Sequence, residues 1–256
     1  MQRVKLVLFD VDGTLLDNRS GDDLCYERAF RREFGIRRID TDWSRYAHCT
    51  DSCITGELLR AHLGREATAD EFRRAREAYV EELVAAHAKG EGAHVPTRGA
   101  AAAIRSVKRA GWKAALATGG WRVSALLKLK HSRLPVLRLP GAFADDDLTR
   151  EGIARIAIER AEAKSGRAAK RVVFVGDALW DLKACTALGI PFVGIGRADR
   201  GIRLRAAGAS VVLPDFLDRR AFRAALEEAK PPVAGAGSGL TRSSGPLPTT
   251  GSARPS

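Results

Sequence analysis

A chain of 256 residues is long enough to bury one large core or two smaller ones. Its 45% hydrophobic and 29% charged content fits a soluble globular protein, and its apolar runs fall far short of a membrane span. The formal charge of +12 comes from scattered, mostly arginine side chains without an aromatic-interleaved stripe, so it points away from a dedicated nucleic-acid surface.

The start, MQRVKLVLFD, lacks the long apolar stretch and cleavage site of a signal peptide, so a cytoplasmic protein is expected. VKLVLF, residues 4–9, reads as a buried strand. It delivers two carboxylates, Asp10 and Asp12, and burying such charge is costly unless it is paired or bound to a cation.

From residue 18 to 94 the chain shows helical patterns and no convincing strand. Thr68 and Glu71 form a capping box, followed by Phe72, Ala75, Tyr79, Leu83 and Ala86 at helical spacing. A second helix is predicted over 54–63. So long a helical insertion exceeds an ordinary crossover and is expected to form a small domain above the sheet's carboxyl edge. Within it, Cys49, Cys53 and the neighbouring His48 fall short of a zinc ligand set; these cysteines, with Cys25 and Cys185, are expected to pack.

Strand-like runs then alternate with helices: WKAALA (112–117), PVLRL (135–139), RVVFV (171–175), PFVGI (191–195) and ASVVL (209–213). The intervening helices are predicted over 97–111, 149–166 and 178–188, with Thr149 as a cap and Gly111, Gly166 and Gly189 as stops. The pattern predicts an α/β fold, a doubly wound parallel sheet with helices on both faces. The core is expected over 1–17 and 95–229, the helical insertion over 18–94, and a disordered Pro/Gly/Ser-rich tail over 230–256.

Four segments fall at predicted strand ends, where open α/β sheets place ligands. They are Asp10-Val-Asp12-Gly-Thr, Thr118-Gly119-Gly120, Asp147-Leu-Thr-Arg150 and Gly176-Asp177-Ala-Leu-Trp-Asp181. Carboxylates arriving from separate loops suit Mg²⁺, with waters and substrate phosphate completing its shell. Asp177 and Asp181, four residues apart, are expected on one face of a helix's first turn. Thr118 with its glycines offers a hydroxyl and amides for a phosphate, and Arg150 a charge-assisted donor. One aspartate is then free to attack phosphorus, and an acid two residues on can protonate the leaving group and later activate water.

FDVDGT, the Thr118 strand end and GDALWD together resemble the haloacid dehalogenase superfamily in its phosphatase branch, over residues 1 to about 229. The resemblance implies a Rossmann-like core with an inserted α-helical cap. It implies Asp10 as nucleophile and Mg²⁺ ligand, and Asp12 as general acid/base and Mg²⁺ ligand through its backbone carbonyl. Thr118 and the Gly119 amide would bind the phosphoryl group, and Asp177 and Asp181 would hold the metal. Arg150 takes the place where many relatives carry lysine, with Lys128 and Lys130 as alternatives. The segment His48-Cys-Thr50-Asp51 resembles a Gly-x-Thr-Asp element of phosphoglycolate-phosphatase-like caps, with His48 replacing the glycine. Thr50 and Asp51 are therefore candidate substrate contacts, and helix capping by Asp51 is the alternative.

The function so implied is a Mg²⁺-dependent, phosphoglycolate-phosphatase-like hydrolase acting on a small phosphorylated metabolite through an aspartyl-phosphate. A sugar-phosphate mutase and a non-catalytic phosphate-binding module are the alternatives. Trp121 and Trp180 are expected to pack more than to line the crevice. His87, His94 and His131 have no evident catalytic partner.

Overall fold

The computed structural model describes residues 3–17, 21–91 and 94–233. Most of the predicted tail, from residue 234 on, and the cap boundary positions 18–20 and 92–93 lie outside the described residues.

The core is a six-stranded sheet of order β5-β4-β1-β6-β7-β8. Its strands are β1 (Val4–Phe9), β4 (Lys113–Ala117), β5 (Gly141–Ala142), β6 (Ala169–Gly176), β7 (Phe192–Ile195) and β8 (Val211–Leu213), every pair parallel. Central β1 pairs with β4 on one side and β6 on the other, and the chain winds outward in both directions from it. A crevice therefore opens at the carboxyl ends of β1, β4 and β6.

Alternation along β1 divides the core. Val7 and Phe9 face Ile104 and Val107 of α4 (Ala100–Arg109) and Phe222 and Leu226 of α9 (Arg219–Glu228). Leu6 and Leu8 face Ile153 and Ala157 of α6 (Arg150–Ser165), Leu182 of α7 (Leu179–Leu188) and Leu204 of α8 (Ala198–Ala206). Thr149 caps α6 as predicted, accepting from the Gly152 amide at 3.0 Å, and left-handed Gly166 and Gly189 end α6 and α7.

The run PVLRL is not a strand. Residues 135–139 form turns, with Val136 N donating to Leu134 O and Leu139 N to Val136 O. Pro135 has no N–H for a ladder, and the pairing with β4 passes to the two residues of β5. A short antiparallel ribbon of β2 (Leu16–Asp17) and β3 (Val95–Pro96), too brief to show a period in sequence, joins the two chain crossings beneath the cap.

The cap contains α1 (Asp22–Phe34), a 3₁₀ turn (Trp43–Arg45), α2 (Asp51–Leu63) and α3 (Ala69–Ala88). The capping box at Thr68 and Glu71 is formed, and α1 packs along α3. Tyr26 stacks on Phe30 with centroids 4.7 Å apart and meets Tyr79 edge-on. Trp121, at the start of core helix α5 (Arg122–His131), inserts into this cluster and is 2% exposed. Its role is packing, the outcome expected for it.

Candidate active site

The end of β1 is pinned by its neighbour: Asp10 N donates to Val175 O of β6 at 3.0 Å. The chain then turns through Gly13, whose φ of +81° suits glycine. A side chain there would also strike the Asp177 carboxylate, so the turn and the end of β6 need this close approach. Thr14 Oγ1 donates to Asp177 Oδ1 at 3.2 Å.

Asp177 does not share a helical face with Asp181, as the four-residue spacing suggested. It precedes Ala178, the cap of α7, while Asp181 lies in the first turn. Even so, Asp10, Asp177 and Asp181 each place one carboxylate oxygen within 4.8 Å of the others. Burial is the main cause that raises all three pKa values; the Asp12 charge adds to it for Asp10, the Asp10 charge for Asp177, and the Asp10 and Asp177 charges for Asp181, so that Asp177 reaches about 7 and Asp181 lies well above the carboxylate range. Asp181 is 0% exposed, and its Oδ2 is buried without a hydrogen-bond partner. Hard oxygen donors that repel one another, with one orphaned atom among them, fit a divalent cation such as Mg²⁺.

Arg150, the first residue of α6, reaches into the same group. Its Nη1 donates to Asp10 Oδ1 at 3.1 Å and to Asp181 Oδ1 at 3.0 Å, and its Nε to Cys49 O of the cap at 2.8 Å. Of the three cations weighed for this place, Arg150 is the one that meets both acids. Lys130 is exposed. Lys128 is buried at 2% exposure and turned elsewhere, donating to Asp12 Oδ2 at 2.6 Å and to Asp22 Oδ2 of α1 at 3.0 Å. Burial opposes its charge, yet Asp12 and Asp22 outweigh that and hold its pKa well above the ordinary lysine value.

Thr118 follows β4 and is 1% exposed. A Cβ at Gly120 would lie 3.6 Å from Asp12 Oδ2 and 3.8 Å from Thr118 Oγ1, so the Asp12 carboxylate and the Thr118 hydroxyl both lie beside Gly120. At Gly119 a Cβ would meet Arg150 Nη2 and Cys49 O, each at 2.5 Å, so glycine lets the cap loop and the guanidinium converge on this backbone.

Thr50 and Asp51 hold the cap against the core. Thr50, not Asp51, caps α2: its Oγ1 accepts from Cys53 N at 3.3 Å and donates to Leu148 O at 2.9 Å. Asp51 N donates to Gly119 O at 2.7 Å, and Asp51 Oδ2 accepts from Trp121 N at 2.9 Å. Ser52 Oγ donates to Ala144 O and accepts from Trp121 Nε1. Burial pushes the Asp51 carboxyl up to about 7, with Lys128 opposing the shift.

Two features carried no signal in the sequence. Arg200 of α8 donates to Gly13 O and lies 3.0 Å from Asp177 Oδ2, although it reads there as one more surface arginine. His87, His94 and His131 gather beside the β2–β3 ribbon, and the His87 and His131 rings stack at 3.5 Å.

These relationships define a class: a doubly wound α/β enzyme core whose strand ends gather carboxylates under a helical lid. The chain belongs to the haloacid dehalogenase-like hydrolases, whose family profile matches residues 4–189. None of the curated proteins matches it. Among solved structures it is similar to a hydrolase from Pseudomonas syringae, with a TM-score of 0.64 and 20% identity over 85% of this chain and 95% of that one. It is also similar to CbbY from Rhodobacter sphaeroides in complex with phosphate (TM-score 0.60, 22% identity, 84% and 96% covered). A family IA, variant 3 hydrolase from Entamoeba histolytica gives a TM-score of 0.62 at 14% identity over 88% of this chain and 100% of that one. At these identities the likeness speaks for the fold. Among the described residues no helix is long and apolar enough to cross a membrane.

Proposed function

We propose that this protein is a Mg²⁺-dependent phosphatase that hydrolyses a small-molecule phosphate monoester through an aspartyl-phosphate on Asp10. The observation that carries the reading is the division of labour between two acids two positions apart. Asp10 joins Asp177, Asp181 and Arg150, whereas the Asp12 carboxylate bonds Lys128 and lies beside Gly120, as the Thr118 hydroxyl does.

Asp10, Asp177 and Asp181, with the Asp12 carbonyl that the family resemblance implies, would hold Mg²⁺. When bound, it would supply positive charge that lets the acids stay ionised together. The Thr118 hydroxyl, the Gly119 amide and Arg150 bind the phosphoryl oxygens. A carboxylate oxygen of Asp10 forms a bond to phosphorus as the ester P–O bond breaks, and Asp12 gives its proton to the departing oxygen. Asp12 then takes a proton from water as that water attacks phosphorus, which releases phosphate and restores the Asp10 carboxylate.

The cap loop, bonded to Gly119, Trp121 and Arg150 over the strand ends, supports a small metabolite as substrate over a nucleic-acid end. The finer reading, a phosphoglycolate-like ester, rests on the resemblance at Thr50 and Asp51. We assign the core to 1–17 and 95–229 and the cap to 18–94, and place the protein in the cytoplasm.

The test is phosphate release from p-nitrophenyl phosphate with Mg²⁺ and with EDTA. Turnover that chelation removes and that Asp10→Asn abolishes supports the reading; retained turnover in that variant removes Asp10 as nucleophile. Isomerised sugar phosphate formed only with a bisphosphate primer, with little free phosphate, would make it a mutase. Phosphate affinity without turnover would make it a binding module.

A further inference from the structure

We propose that Lys128 is a positioning residue that sets the acid/base Asp12 in place and makes its alignment depend on the docked cap. The inference rests on the reading of Asp12 given above.

Lys128 lies in the second turn of α5, 116 positions from Asp12 and 106 from Asp22. Its ammonium therefore joins a core loop to the first residue of cap helix α1. A buried amine there is not explained by stability, since apolar residues commonly replace buried ion pairs without loss. What an apolar residue could not do is direct a carboxylate. Lys128 Nζ bonds the Oδ2 atom of Asp12, which lies beside Gly120 as Thr118 Oγ1 does, so it fixes the rotamer of the group that must meet the leaving oxygen. Asp22 holds the other side of the same ammonium. If the cap swings away, Lys128 loses its bond to Asp22 and its ammonium is no longer held in one position beside Asp12; with the cap docked, the ammonium is fixed between the two carboxylates and the acid is aligned.

The chemistry offers a readout that a merely structural role would not move. An alkyl phosphate must receive a proton on its departing oxygen, whereas p-nitrophenolate leaves readily without one. Lys128→Met should therefore lower kcat/KM, which reports departure of the leaving group and not the later attack of water, on glycerol phosphate by about a hundredfold. On p-nitrophenyl phosphate the loss should be no more than a few-fold. Asp22→Asn, which leaves Lys128 in place, should shift the ratio the same way by about tenfold. It also serves as the variant to read if Lys128→Met does not fold. Equal losses on the two esters, or no loss on either, would overturn the proposal. Asp12→Asn separates this failure from failure of the underlying reading. If that variant loses both esters equally, Asp12 is not the acid; if it spares p-nitrophenyl phosphate while the Lys128 and Asp22 variants show no such preference, only the positioning role falls.

Discussion

The Arg150 guanidinium donates to the Asp10 carboxylate at 3.1 Å, although the two stand 140 positions apart in the chain. The same Nη1 reaches Asp181 at 3.0 Å, so one cation on α6 joins the end of β1 to the first turn of α7. The side chain is 12% exposed, and the planar fork also bonds Cys49 O of the cap. Arginine suits this place because one rigid group meets three acceptors in different directions.

Arg150→Met should therefore leave buried carboxylates unmatched and lower unfolding free energy by about 3–5 kcal/mol, measured in urea without metal. Arg150→Lys should lose less, because the charge stays while the fork is gone. An undiminished midpoint for the methionine variant would show the bridge to be dispensable.

Metal should stabilise the folded chain in a way that depends on Asp181. Ligand binding at a hundred times its dissociation constant adds about 2.7 kcal/mol. Mg²⁺ should raise the melting temperature of the native protein, EDTA should reverse it, and Asp181→Asn should reduce the shift by more than half. An equal shift in both proteins would place the ion elsewhere.

Gly119→Ala probes the contact between cap and core. The added Cβ would sit 2.5 Å from Arg150 Nη2 and from Cys49 O. Relief requires the cap loop or the guanidinium to move, so turnover should fall about tenfold or more, in line with a displaced positioning group. Unchanged kcat/KM would show that the loop yields without consequence.

Asp51 predicts a pH effect on stability. Its carboxyl is raised from 3.8 to about 7 by burial, so the folded state holds the proton more tightly than the unfolded one. Stability contributed by this group therefore falls as pH rises from about 4 to about 7, and the full penalty is present above that range. Asp51→Asn keeps an oxygen for the Trp121 amide and removes the slope. Relative to the native protein, the variant should gain stability between about pH 5 and about pH 8, read as urea midpoints at the two values. A difference that does not change with pH would contradict the shift.

Asp10, Thr118, Asp177 and Asp181 were readable in sequence because each follows a strand whose apolar run is local and long enough to recognise. Arg150 was readable through its cap residue Thr149. Lys128 was readable only as an alternative to Arg150: in Leu-Leu-Lys-Leu-Lys it looks like any lysine of a surface helix, and its burial and its bonds to Asp12 and Asp22 come from the tertiary fold. Thr50 caps α2 through Cys53 N, three residues on, but the sequence could not show that Thr50 and Asp51 would also bond Leu148 O and Trp121 N, partners 98 and 70 positions away.

What the sequence determined by itself is the alternation of strands and helices, the place of the insertion and the acids at the strand ends. Each follows from short-range periodicity, capping and turn chemistry. Tertiary structure decided which oxygen meets which cation: Arg150 with Asp10 and Asp181, Lys128 with Asp12 and Asp22, Arg200 with Asp177. It also decided that β5 is two residues and not the run before it. The physical reason is that charge pairing and edge pairing depend on distance in space and on burial, and neither is encoded in the spacing along a single segment.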